Sequence, residues 1–224
     1  MMNHFFSKVF FKKGFAFVEL IISIAIFTFI ATAMLISFSR LQGDVSLTNL
    51  AYDTALNIRQ AQSYGVQVKG RVLGGNLSYD SGYGVRFATD STQEFALFAD
   101  DPLTGGCVGY DRKCSGVSLA SCAGSDQLVK NYKIVNWNSI QKFCAIDNSN
   151  IEYCSDTVGG NHIDYLDISF LRPRQDAFIR TSLNGANACG IPTLPYKSAY
   201  IRFISSKGKI KTVNVTVTGQ ITVY

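Results

Sequence analysis

Twenty-four residues, Phe15 to Phe38, are apolar apart from Glu19 and a few Ser and Thr. As a helix rising 1.5 Å per residue, this run spans roughly 36 Å, enough to cross a hydrocarbon core of about 30 Å with some tilt. Lys12 and Lys13 stand directly before it, and Arg40 and Asp44 offset each other after it. The lysine excess predicts a single pass with the N-terminus in the cytoplasm and the rest of the chain outside. The six cysteines, Cys107, Cys114, Cys122, Cys144, Cys154 and Cys189, all lie on the outward side. An even number spread through loop-like sequence suits an oxidising compartment. The two signals agree on topology.

Charge gives little reason to propose a polyanionic partner. The chain carries a formal +5, but Lys8, Lys12 and Lys13 precede residue 15. Without residues 1–14 there remain 18 basic and 16 acidic side chains, a balance of +2. Such a balance does not mark a nucleic-acid-binding protein by bulk charge.

Glu19 separates three readings of the N-terminus. A secretory signal cleaved after Ala31-Thr32-Ala33 fits the A-x-A pattern, yet the apolar run continues past it through Met34, Leu35, Ile36 and Phe38. A plain anchor leaves Glu19 unexplained, although a carboxylate in the bilayer costs on the order of 2.5–3.5 kcal/mol at a helix centre and usually marks a function. The third reading accounts for it. Lys12-Lys13-Gly14-Phe15-Ala16-Phe17-Val18-Glu19-Leu20 resembles the cleavage motif of type IV prepilins and type II secretion pseudopilins. The resemblance implies a membrane peptidase/methyltransferase that cuts after Gly14 on the cytoplasmic side and methylates the new amine of Phe15. It makes Glu19 the fifth mature residue, which in that family is nearly always glutamate.

The electrostatics suit that reading. Cleavage creates a cationic amine at the membrane face, and Glu19 lies four residues along on the same helix face. Before assembly the carboxylate can neutralise its own terminus; in a filament it can pair with the amine of a neighbouring subunit. In a low-dielectric setting such a pair rewards correct register more than affinity. Two positions depart from the main-fibre pattern. Ile36 stands where major pilins commonly carry a helix-breaking proline, and Thr28 where glycine is frequent. With no proline in the helix, the resemblance favours a minor pilin or pseudopilin. Gly43 becomes the weak point of the helix, at about 1 kcal/mol relative to Ala.

Helical periodicity continues beyond the membrane to about residue 64. Leu47, Leu50, Ala51, Thr54, Ala55, Ile58 and Ala61 line one side at three- and four-residue spacing and should pack on a folded domain. Val45, Tyr52 and Leu56 point the other way. They are either scattered surface residues or a row buried only in a filament.

From Gly70 the pattern changes to short strands. Residues 83–87 and 94–99 read as a hairpin around Thr89-Asp90-Ser91-Thr92, and residues 132–136, 140–146, 163–171 and 177–180 as further strands. Residues 100–125 read as a Cys-rich loop. Ala199, Ile201 and Phe203 alternate, as do Val213, Val215 and Val217, and Ile221 and Val223 follow Gly219. The expectation is an α+β fold: a leader at 1–14, a transmembrane half-helix at 15–38, an exported half-helix at 39–66, and a β-rich domain at 67–224 with the helix laid on an antiparallel sheet. The turns Lys207-Gly208-Lys209 and Thr218-Gly219-Gln220 resemble the C-terminal strand, glycine turn and final strand of the H-type minor pseudopilins. That resemblance is strong over residues 8–65, moderate over 163–224 and absent in the middle.

Candidates for chemistry are few. His162, the one histidine of the mature chain, lies near Asp164 without a nucleophile motif, so an exported, membrane-anchored hydrolase is the weak enzyme alternative. No Cys-x-x-Cys pair suggests zinc or redox chemistry, and disulfides are the default. Cys144 and Cys154 face each other if two short strands are joined by an Asp147-Asn148-Ser149-Asn150 turn; the other four cysteines allow several pairings. No cofactor is expected. Asp100, Asp101 and Asp111 around Gly105-Gly106 could hold calcium, as in some pseudopilins, but their spacing is not that of an EF-hand. Lys197, Arg202, Lys207, Lys209 and Lys211 cluster in the C-terminal hairpin. They read as a charged edge that resists aggregation or as a phosphate-binding patch for DNA uptake.

Overall fold

The computed structural model describes residues 15–67, 69–73, 76–79, 81–100, 127–184 and 196–224. The expected leader, the Cys-rich loop beyond Asp100 and four of the cysteines (Cys107, Cys114, Cys122 and Cys189) lie outside the described residues. The chain forms two compact units that divide between Gln42 and Gly43. One helix, α1 (Phe15–Val66), contributes to both.

In the first unit, residues 17–35 of α1 are almost wholly exposed, including Phe17, Leu20, Ile21, Ile22, Phe27, Phe29 and Leu35. Its hydroxyls satisfy themselves on the helix backbone. Ser23 donates to the Glu19 carbonyl (2.8 Å), Thr28 to those of Ile24 and Ala25 (3.0 and 2.9 Å), and Thr32 to that of Thr28 (2.7 Å). Polar side chains closed in this way make little demand on their surroundings.

The second unit joins the rest of α1 to two antiparallel five-stranded sheets and a small hairpin, β1 (Arg71–Leu73) with β2 (Asn76–Ser78). The helix from Gly43 onward packs with the sheets in one unit. One sheet has the order β5 (Gln127–Lys133), β4 (Ser91–Asp100), β3 (Gly82–Ala88), β8 (Tyr165–Phe170), β9 (Ala177–Thr181). The other has the order β12 (Ile221–Val223), β11 (Ile210–Thr216), β10 (Tyr196–Ile204), β6 (Ser139–Asp147), β7 (Glu152–Cys154). The α+β class is as expected, but the single sheet is corrected to two.

Both sheets and the helix share one core. Leu47, Ala51, Ala55, Ile58 and Ala61 meet Val85, Phe95, Leu166 and Ile168 of one sheet and Phe143, Ile201, Phe203 and Val213 of the other. The predicted helix stripe is therefore the buried one, Thr54 included, with its hydroxyl bonded to the Leu50 carbonyl at 2.9 Å. Gly65 allows the helix end to approach β8: a Cβ there would lie 2.3 Å from the Phe170 carbonyl oxygen. Gly219, at φ +80°, closes the β11–β12 turn, and a Cβ there would meet the Gln175 carbonyl oxygen at 2.3 Å.

The sheet of β3 and β8 is buried on its second face too. There Arg86 and Asp167 form a bidentate ion pair (Nε to Oδ1 2.7 Å, second nitrogen to Oδ2 2.6 Å), both side chains fully buried, with the guanidinium 4.2 Å from the Tyr165 ring centre. Charge-assisted bidentate bonding offsets the cost of desolvating both groups.

Several boundaries move. The strand expected at 132–136 is β5, ending at Lys133; Asn136 (φ 63°) and Trp137 (φ 59°) then turn the chain. The strand expected at 163–171 is β8; Ile163 lies before it, its amide donating to the Cys154 carbonyl at 3.2 Å. Val217 falls in the turn after β11, its amide donating to the Lys197 carbonyl at 2.9 Å.

Candidate functional site

Along α1 the apolar side chains of residues 17–35 surround one ionisable group, Glu19. Among the described residues no hydrogen bond or ion pair reaches its carboxylate, which is exposed on the helix. The segment Phe17–Leu35 is long and apolar enough to cross a membrane, a test that a signal sequence passes as well. Gly14 lies outside the described residues, and Phe15 begins the helix. An exposed carboxylate on an apolar rod can do one thing well, which is to accept a cation from outside the unit once the surroundings exclude water.

In the second unit the outward row on α1 is exposed as expected: Val45 by 57%, Tyr52 by 55% and Leu56 by 58%.

The five basic residues of the C-terminal hairpin do not share one face. Strand register sets Lys211 beside Phe203, whose side chain is in the core, and Arg202 beside Thr212 and Lys142. Arg202 lies 5.6 Å from the Tyr200 ring centre, on the sheet side away from the core. Lys197, at the other end of β10 from the turn, donates to the Asn150 side chain. Lys209 is ion-paired with Asp44, and Lys207 reaches the helix at Gly43. Lys207 and Lys209, in the turn between β10 and β11, both reach the start of the helix in this unit.

Cys144 and Cys154 are joined, opposite each other on β6 and β7, as the turn at 147–150 predicts. Asp147 organises that turn: its Oδ1 accepts from the amides of Ser149 (2.8 Å) and Ile151 (2.9 Å). Glu152 lies near both sulfurs, but a sulfur engaged in a disulfide is no thiolate ligand, so the trio is not a metal centre. Tyr200 covers the bridge, and burial, reinforced by the Glu152 carboxylate it donates to at 3.2 Å, pushes its hydroxyl up to about 12.

His162 is held by structure around it. Its Nδ1 is 2.9 Å from the Thr157 carbonyl oxygen and its Nε2 3.3 Å from the Asp164 carboxylate. Asp100 is the buried last residue of β4 and not part of a loop, while Asp101 and Asp111 lie outside the described residues. The turn at Val135 to Asn138 falls partly on the strand expected at 132–136, so the sequence reading does not place it. It holds the chain's one tryptophan, and the only hint is the setting Asn136-Trp137-Asn138, since Asn tolerates positive φ.

Comparisons with protein-family models, with curated proteins and with solved structures gave no significant match.

Proposed function

We propose that the protein is a structural subunit, a minor pilin or pseudopilin, of a type IV pilus or type II secretion-like filament. Its leader is removed after Gly14, its new terminus at Phe15 is methylated, and it waits in the inner membrane, N-terminus in and C-terminus out, before joining a periplasmic or extracellular filament. The observation that carries this reading is Glu19, a carboxylate without a partner among the described residues, four positions after the proposed new amine on an exposed apolar helix. A helix of that composition is stable only with lipid or other apolar helices around it. The β11, Gly219 turn and β12 ending supports the same reading, as does a disulfide suited to an exported domain.

The test is mass spectrometry of the membrane-extracted protein from cells with and without a prepilin peptidase. The expected product begins at Phe15 and carries one methyl group. A chain beginning at Met1, or at Met34, in cells that possess the peptidase overturns the proposal.

A further inference from the structure

Two turns of the second unit lie at the same end of one sheet. Ser139 pairs with Ile204, and Ile204 with Ile210, so the turn before β6 and the turn after β10 lie side by side. Both are fastened to the first residues of the helix in this unit. Asn136 and Asn138 donate to the Ser46 hydroxyl at 3.2 and 3.0 Å, Lys209 pairs with Asp44, and Lys207 lines Gly43.

This end is apolar as well as basic. Trp137 is 87% exposed and Val135 64%, with Val45 and Ile210 also exposed. The tryptophan is held there against backbone preference. Asn136 and Trp137 both take positive φ in this turn, a region that glycine and asparagine favour and that a residue bearing an indole rarely adopts. Strain of this kind at an exposed position points to a task for the side chain. Only residues 36–42 separate this end from the apolar span Phe17–Leu35. Tryptophan and lysine are residues that settle at a membrane–water interface: the indole lies at headgroup depth, the ammonium groups meet anionic phosphates, and neighbouring aliphatic side chains can dip just below.

We propose that this end of the domain rests on the outer lipid surface, with Trp137 among the headgroups and Lys207 and Lys209 beside anionic lipid phosphates. The proposal rests on the reading of residues 17–35 as membrane-embedded.

Because Trp137 is the only tryptophan, the unmodified full chain reports its own position. It would be reconstituted into phosphatidylcholine vesicles, with or without phosphatidylglycerol, containing lipids brominated either high or low on the acyl chain. The expected result is blue-shifted emission, most of it lost to the shallow bromine and little to the deep one, with greater loss when phosphatidylglycerol is present. Lys207→Gln should remove part of that added loss. Emission unaffected by either bromolipid but fully quenched by acrylamide, in protein that stays with the vesicles through an alkaline carbonate wash, overturns this inference alone. Equal quenching with and without phosphatidylglycerol overturns the role of the lysines. Protein that the wash removes overturns this inference and the membrane reading together.

Discussion

Between Phe17 and Leu35, α1 shows apolar side chains on every side; between Leu47 and Ala61 the same helix buries one stripe and leaves Tyr52 and Leu56 outward. The later part is folded by its own chain, because its apolar residues are spaced to meet two sheets. The earlier part is exposed and packs against no other described residue, and its Ser and Thr hydroxyls close on the helix backbone. One stretch therefore encodes a domain core, and the other leaves its apolar side chains uncovered by the described residues.

The sharpest way to break that contrast is to place one carboxylate in each part. Ile58 is completely buried, so Ile58→Asp sets an unpaired charge in the core and should abolish folding of the sheet domain, a loss of more than about 4 kcal/mol. Ile26→Asp should leave the thermal midpoint of that domain in detergent unchanged. Its cost, about 3 kcal/mol, should fall on membrane insertion instead. A large drop in the midpoint for Ile26→Asp would show that the first part belongs to the fold after all.

Two existing carboxylates offer the next test. Asp167→Ala leaves the buried Arg86 without its bidentate acceptor and should cost about 3–5 kcal/mol in chemical denaturation. Glu19→Ala removes no contact of the described structure. It should spare both stability and cleavage after Gly14 while sharply reducing the protein recovered in filaments. Glu19→Ala assembling at the normal level would separate the acid from assembly.

Elements with strict alternation were legible. The β3–β4 hairpin, the C-terminal β10–β11–β12 run and the Cys144–Cys154 pairing follow from period-two patterns and turn residues. β5 was not, because Gln127–Lys133 is a mostly exposed polar edge while the apolar Val135 and Trp137 just after it lie in a turn. The division into two sheets was hidden for another reason: a strand's own residues do not say which neighbour it pairs with. Nor could sequence reveal that Arg86, Asp167 and Arg180 are buried on the second face of a sheet, where alternation reads as solvent. Glu19 stood out because a charge in a long apolar run is expensive; Trp137 did not, because its meaning lies in its backbone angle and its neighbours across the sheet end.

A smaller effect, opposite in sign, should come from Trp137→Gly. Glycine takes positive φ freely, so the substitution should raise stability by about 1 kcal/mol, read as a higher denaturation midpoint. No core contact is lost, since the indole is exposed. A lower midpoint would mean that Trp137 is packed for the domain's own sake.

The smallest change in stability is expected on the outward row of the helix. Leu56 is 58% exposed on a segment whose opposite face is fully occupied, so Leu56→Ser removes little buried area and should alter stability by no more than about 0.5 kcal/mol. If Val45, Tyr52 and Leu56 are a scattered surface set, nothing else should change. If they meet neighbouring helices in a filament, each has roughly half its area left to bury, and a polar replacement forfeits about 1 kcal/mol or more per subunit contact. Repeated along a filament, that loss should lower the ratio of filament-bound to membrane-bound protein even though the isolated subunit melts normally. Measured on the same preparation, an unchanged melting curve with an unchanged ratio would return this row to the ordinary surface and confine the assembly contacts to the first part of the helix.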